Sequence, residues 1–433
     1  MRLFSSFFNH QIPQKIIAFG SMMILLLLFI SSCELGEPRV IQIWTDRPEL
    51  AVYGELFNSQ ERSYKVEVSY YENLSEQLLE TRIYPDIVIG SWLKSSSTRK
   101  YFKDLNYFFD ELLLNKAAFY TPLLELGNID GKQYLLPVSF NLPLVLFPRD
   151  QASLINKAGI LNLDDIRDRG KMFNQKSEKG EYLQMGFSPR WSDDFLYITA
   201  RLFGAAFREG NPIAWNGGAL EKGMNYVYQW SIEVNGEPQQ EDDFAFKYLV
   251  TPPPVPLNSG KVLFAYQESQ KLFTSPEEQR QNLDFRWVSK DNRIPIIEGE
   301  TFLGIYKKNR AKRASDAFVQ WLYREETQRK ILEFSKKIRL NEQVFGIANG
   351  FSAIRSVNEE IFPQFYPLLL GHMPPAEYLL PPEILPADWP LIREQVILPY
   401  LHDRSKASDK SQIQSLEGRL DEWKKQHKGT KKG

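Results

Sequence analysis

The chain has 433 residues, 43% hydrophobic and 25% charged, a globular balance that is long for one domain and comfortable for two. A net charge of −1 leaves no basic field for nucleic acid. One cysteine, Cys33, excludes an internal disulfide framework and a cysteine-based metal site, and the four scattered histidines argue against a zinc site or a catalytic triad. Aromatic residues are abundant, with 29 Phe, 20 Tyr and 9 Trp. They suit a large core, a cleft that stacks on ligands, or both.

Residues 1–32 read as an address. Arg2 and Lys15 make a positive leader, and residues 16–30 form an apolar run. Ile30-Ser31-Ser32-Cys33 then resembles the bacterial lipobox, in which the peptide is cut before a cysteine that receives lipid. The alternative is a transmembrane anchor, but the 15 residues of 16–30 are short for a span of about 20. Residues 33–39 are a polar tether.

The mature chain opens with strand 40–45, helix 48–58 with Pro48 in its first turn, strand 64–71, helix 74–83 and strand 85–92. This alternation predicts a parallel sheet with crossover helices, and ligands in such sheets sit beyond the carboxyl ends of the strands. Those ends carry Trp44, Glu72, Ser91 and Trp92. The stretch 131–150, GKQYLLPVSFNLPLVLFPRD, holds two apolar runs around a polar break. It fits an interrupted strand, a hairpin or a passage between two bodies. Helices are expected at 163–173, 194–207 and 219–233, and a brief strand at 185–187. A Pro-rich loop follows at 251–260, then strands at 261–266 and 285–289 and a helix at 314–334. Residues 374–400 are Pro-rich and aromatic. The segment 402–433 is mostly polar, and its bland reading is a solvated helix on which Ile413, Leu416, Leu420 and Trp423 mark one face.

In this order the parts resemble the extracellular solute-binding proteins of ABC importers, the group that includes sugar-binding lipoproteins. The resemblance rests on the lipobox, PDIVIGSW, NIDGKQYLLPVSFNLPLVLFPRD, GKVLFAY and the run FLGIYKKNRAKRASDAFVQWLYREETQ. It implies an α/β, two-lobed periplasmic-binding-protein-like fold of the class II type, with a ligand cleft between lobes joined by crossing strands. Lobe 1 would be 40–139 plus 290–335, lobe 2 140–289 plus 336–401, and 402–433 a charged tail. The stretch 131–150 then becomes a crossing. Its prolines fall where the chain leaves one sheet and joins another, because proline cannot donate to a ladder. Three departures from the family pattern are Phe147-Pro148-Arg149, Leu263-Phe264-Ala265 and Glu298-Gly299-Glu300.

Matching by position, the resemblance implies a cleft drawing on Trp44, Glu72, Ser91 and Trp92, on Asn141 at the crossing, on Trp191, Tyr266 and Glu268, and on Glu298 and Thr301. Aromatic rings would stack on a sugar face while carboxylates and amides bond its hydroxyl rim. Each residue also has a structural reading; Trp191, for instance, could anchor a loop. The expected function is capture of a small solute, a sugar or oligosaccharide, and its delivery to an ABC permease. The expected protein is a monomer held at the membrane by lipid on Cys33, facing the periplasm or exterior, with no cofactor or metal. A sensor, adhesin or scaffold of the same fold is the alternative. A glycoside-acting enzyme using Glu72 with Glu268 or Glu298 is a weaker one, since no nucleophile elbow, HExxH or phosphate loop occurs.

Overall fold

The computed structural model describes residues 40–80, 82–155, 159–407, 409, 411 and 413–428. The expected signal peptide and tether, with Cys33, lie outside them. The strands that build the two main sheets are β1 (Val40–Thr45), β2 (Lys65–Tyr70), β3 (Ile87–Gly90), β4 (Leu136–Asn141), β5 (Pro143–Pro148), β6 (Ile160–Asn162), β7 (Ala265–Glu268), β8 (Leu283–Ser289), β9 (Ile297–Ile305) and β10 (Phe351–Ser352).

The first sheet runs β10-β4-β9-β3-β1-β2. β1 pairs in parallel with β2 and β3, as the alternating sequence predicts, and β9 is antiparallel to β3 and β4. Helices α1 (Leu50–Gln60) and α2 (Leu74–Glu80) make the crossovers. α1 buries Leu50, Tyr53 and Phe57, one helical face, against the sheet. The second sheet runs β7-β5-β8-β6. Only Leu142 separates β4 from β5, so residues 136–148 serve both sheets in one nearly straight passage. Asn141 pairs with Ile297 in the first sheet, and Pro143 pairs with Glu268 in the second. The expectation of a crossing in 131–150 therefore holds.

Each lobe buries both faces of its sheet. Along β5, Leu144 and Leu146 enter a cluster that continues into the first lobe, while Val145 and Phe147 enter another with Phe195, Trp230 and Phe264. The shared cluster joins the lobes through aromatics: Phe273 stacks on Phe345 at 4.8 Å, and Trp287 meets Phe351 edge-on at 5.8 Å.

Several boundaries differ from expectation. The helix expected at 194–207 is α3 (Asp193–Leu202), capped by Ser192, whose hydroxyl accepts from the Phe195 amide. The helix expected at 219–233 is α4 (Gly217–Val234). The 314–334 helix is two, α5 (Lys312–Leu322) and α6 (Glu325–Lys337), because Arg324 is extended and Glu325 and Glu326 start a new first turn. Residues 185–187 form no strand; Tyr182–Gln184 pairs with Gln175–Lys176 instead. Residues 336–401 divide. Phe351 pairs with Phe140 in the first sheet, whereas Leu385, Trp389 and Val396 pack on α3 of the second lobe.

The described part of the C-terminal segment is not a solvated helix. After α7 (Leu398–Lys406), helix α8 (Leu416–Lys428) turns Leu416, Leu420 and Trp423 onto the same second-lobe cluster, leaving them 2%, 2% and 9% exposed. Buried Arg404 donates to Glu221 at 2.9 Å and to Asn225 at 2.6 Å, tying α7 to α4. The polar composition of 402–433 hid this because its charges occupy the outer face of an amphipathic helix. Leu420→Ala is expected to cost about 2–5 kcal/mol, read as a lower urea midpoint with unchanged slope. A solvated helix would lose less than about 0.5 kcal/mol.

Candidate functional site

The site grows from the carboxyl ends of β1 and β3, where the strand-end rule places it. Asp46 follows β1, and its Oδ2 accepts from the amide and hydroxyl of Ser91 at 3.0 and 2.8 Å. Gly90 permits that approach, since a Cβ there would lie 2.6 Å from Asp46 Oδ1. Arg47 reaches further. Its guanidinium donates to Ser91 Oγ at 2.9 Å, to the Gly299 carbonyl at 3.0 Å and to Thr301 Oγ1 at 3.1 Å. One arginine thus laces β1, β3 and β9 together under the cleft floor.

Trp92 then leaves β3 with φ of +60°, a left-handed conformation that is uncommon for a bulky residue and carries strain. Its indole lies against Gly299, where a Cβ would sit 3.2 Å from Cζ2. The ring also packs against the C-terminal cluster on the second lobe. A second bridge between lobes lies nearby. The Glu209 carboxylate accepts from the Ser96 amide at 3.0 Å and from its hydroxyl at 2.8 Å.

The opposing wall comes from the second lobe and the C-terminal segment. Glu298, at the start of β9, is held on both oxygens: the Tyr197 hydroxyl donates to Oε1, and Trp389 Nε1 donates to Oε2 at 2.7 Å. Arg201 stands 3.7 Å from the same carboxylate and donates to the Ile296 carbonyl at 2.6 Å. Arg393, on a π-helical turn (Arg393–Ile397), pairs with Asp194 at 2.6 Å and lies over the Tyr197 ring at 4.7 Å. Buried Lys94 and Glu300 form a further ion pair.

At the crossing, the Asn141 amide donates to the Asn349 carbonyl at 2.8 Å, and its oxygen accepts from Ser269 Oγ at 2.7 Å. Alongside, Tyr266, Glu268 and Gln270 present every second residue to the cleft. Gln270 Nε2 donates to Glu268 Oε2 at 2.5 Å, but Gln270 Oε1 and the Tyr266 hydroxyl are buried without a partner. Burial pushes the Glu268 carboxyl up from its ordinary value. Nearby Lys271 opposes that shift and Asp194 adds to it. The whole encloses a cavity of about 550 Å³ between the lobes. No group of His, Cys, Asp and Glu suited to a metal occurs among the described residues.

Of the expected site residues, Ser91, Trp92, Asn141, Tyr266, Glu268 and Glu298 line this cavity. Thr301 lies just beneath, 1% exposed and holding Arg47. Three do not line it. Trp44 alternates to the other face of β1 and packs on Tyr71 at 4.7 Å, 4% exposed. Glu72 is exposed ahead of α2. Trp191 stacks on Phe244 at 5.5 Å and donates to the Glu241 carbonyl at 3.2 Å, a packing role. The polar break at 139–141 is also less open than expected, since Ser139 and Phe140 are buried. Sequence reasoning missed Arg47, Tyr197, Arg201, Gln270 and Arg393. Arg47 follows the first strand directly and was findable there; Arg393 returns from far along the chain with no local signal.

This architecture is the two-lobed fold of the solute-binding proteins of ABC importers. Similar solved structures include the sugar-binding protein MalE from Xanthomonas citri, with a TM-score of 0.62 at 13% identity, covering 88% of this chain and 95% of that one. The cyclic alpha-maltosyl-1,6-maltose binding protein from Arthrobacter globiformis matches with a TM-score of 0.58 at 15% identity, covering 89% and 96%. An ABC substrate-binding protein from Listeria monocytogenes in complex with cycloalternan matches with a TM-score of 0.55 at 13% identity, covering 88% and 96%. No protein-family model and no curated protein matches the sequence.

Because the folded pKa of Glu268 is raised, its ionisation subtracts stability as pH climbs from the unfolded value, about 4.3, toward the folded one. Glu268→Gln is therefore expected to raise the melting temperature at about pH 7, with the gain disappearing below about pH 4. Parallel thermal scans of both proteins across that range check the sign.

Proposed function

We propose that the protein captures a saccharide between its lobes and delivers it to an ABC permease, as a lipoprotein anchored through Cys33. The observation that carries this reading is the cavity at the crossing, walled by Trp92 and Tyr266 and rimmed by Ser91, Glu268 and Gln270. A sugar has an apolar ring face and a hydroxyl rim, and this lining offers rings for the one and acceptors for the other. The structural neighbours whose names state a ligand add support, since those ligands are saccharides.

Capture works by hinge closure. The three passages at Asn141, Ile297 and the 349–351 segment converge at one edge of the cleft, a suitable pivot. Closure brings Trp92 and Ser96 onto the second lobe, where they meet the C-terminal cluster and Glu209. Both arginines of the second-lobe wall and Glu298 are held by protein partners, so the wall arrives already formed.

The residues argue for binding without chemistry. Glu72, the carboxylate expected to pair with Glu268 or Glu298, is exposed and does not line the cavity, which argues against that catalytic pair. No helix among the described residues is long and apolar enough to cross a membrane. The anchor is read instead from the lipobox-like Ile30-Ser31-Ser32-Cys33.

A cognate saccharide at 100 times its dissociation constant should stabilise the protein by about 2.7 kcal/mol, visible as a raised melting temperature. Trp92→Ala should shrink that shift, measured against the variant's own ligand-free baseline. A panel of mono- and oligosaccharides that leaves the melting temperature unmoved would turn the reading toward a sensor or scaffold. For the anchor, Cys33→Ala should abolish metabolic labelling with a radioactive fatty acid, and persistent labelling would refute it.

A further inference from the structure

The charges of the cleft do not balance, and the imbalance has one place. Each cation in or beneath the cavity has an acidic partner: Arg47 with Asp46 at 3.6 Å, Arg201 with Glu298 at 3.7 Å, Arg393 with Asp194 at 2.6 Å, and Lys94 with Glu300. The carboxylates left over in the lining are Glu268 and, at the exposed rim, Glu394. Glu268 is 9% exposed and has no cation within ion-pair distance. Its charged neighbours are exposed Lys271, Asp194, and Arg393, which is already bonded to Asp194.

Unpaired acceptors stand beside it. The Tyr266 hydroxyl and Gln270 Oε1 are buried without a hydrogen-bond partner. Burying such groups costs free energy unless something arrives to bond them. Strand alternation directs Tyr266 and Glu268 to the cavity, and Gln270 joins them from the first turn of the helix Ser269–Thr274. The carboxylate and its neighbours lack two things, positive charge and N–H donors for the Gln270 oxygen and for the Tyr266 hydroxyl, which can accept as well as donate. A protonated primary amine supplies both, with three donors on one cation. A sugar hydroxyl has one donor and no charge. An anionic sugar would meet Glu268 with no uncommitted guanidinium to offset it.

On the reading that this cleft takes a saccharide, we infer that it selects a saccharide bearing a protonated amino group, with Glu268 as the specificity-determining residue and Tyr266 and Gln270 completing the amine's hydrogen bonds. Uronates and phosphorylated sugars are disfavoured by the same groups.

The test is calorimetric titration of the full-length mature protein with glucosamine, galactosamine and mannosamine. Their N-acetyl forms, parent hexoses and uronic acids are run beside them, below the pKa of the amines. At least one amino sugar should bind about tenfold or more tightly than both its N-acetyl form and its parent, and the matching uronic acid should bind weakest. In Glu268→Gln that amino-to-parent ratio should fall to about one, whatever the absolute affinities, with the melting temperature of the variant confirming its fold. Equal affinity for amino and parent sugars, tighter binding of a uronic acid, or a ratio that survives Glu268→Gln would each overturn the inference while leaving saccharide capture intact. Absence of binding by every sugar, including di- and trisaccharides of each type, would overturn both.

Discussion

The structure depends on a single residue of slack. Between Asn141, which closes the first sheet's pairing with Ile297, and Pro143, which opens the second sheet's pairing with Glu268, only Leu142 intervenes. A strand cannot belong to two sheets without leaving backbone groups stranded at the junction. Here Ser269 takes them. Its hydroxyl accepts from the Leu142 amide at 3.1 Å, and its own amide donates to the Leu142 carbonyl at 3.0 Å. The same hydroxyl donates to Asn141, whose amide continues to the Asn349 carbonyl. One serine and one asparagine therefore hold three passages of chain at one point. The cavity between the lobes lies against this point, since Asn141 and Asn349 line it.

That constraint explains what could be read in advance. Local signals carried the first lobe. VIQIWT and PDIVIGSW are short apolar runs bounded by turn residues, and they became β1 and β3 near the expected places. Pro137 and Pro143 marked the crossing because proline is tolerated only where a ladder bond is absent. Cleft residues that follow such strands or lie on the crossing, Ser91, Trp92 and Asn141, were legible for that reason. Trp44 was not, because the pleat decides which face a side chain takes. A strand-end residue lies one position from the cleft or one position from the core. Its partner on the page was Arg47, three residues on, and the arginine proved to be the residue that laces the strand ends.

The far wall was illegible for a different reason. Trp389 and Arg393 meet Tyr197, Arg201 and Glu298 only after the chain has crossed between the lobes repeatedly, with 199 positions separating Arg393 from Asp194. Nothing in PADWPLIREQ announces a cleft, since the segment reads as surface wrapping. Aromatic residues misled in the opposite direction. Trp191 sits in a polar loop, SPRWSDD, a setting that fits a ligand platform. Yet its ring is buried against Phe244 because helix Pro238–Tyr248 folds back over it. Long-range packing settled both cases, and periodicity carries no long-range information.

The wall's rigidity bears on how the cleft recognises anything. Glu298 is bonded on both oxygens, Arg201 is bonded to a carbonyl, and Arg393 is bonded to Asp194 and covers Tyr197. These charges neutralise one another and leave the wall preorganised. The buried lining atoms with unmet hydrogen-bonding capacity belong to Tyr266 and Gln270, on either side of Glu268 and directly beside Ser269. These groups and the serine that ties the crossing thus occupy residues 266–270, one short strand and the start of the helix after it. On the proposed reading, a ligand drawn to Glu268 would lie against the element that joins the two sheets, and recognition would be coupled to closure through that stretch without any further relay.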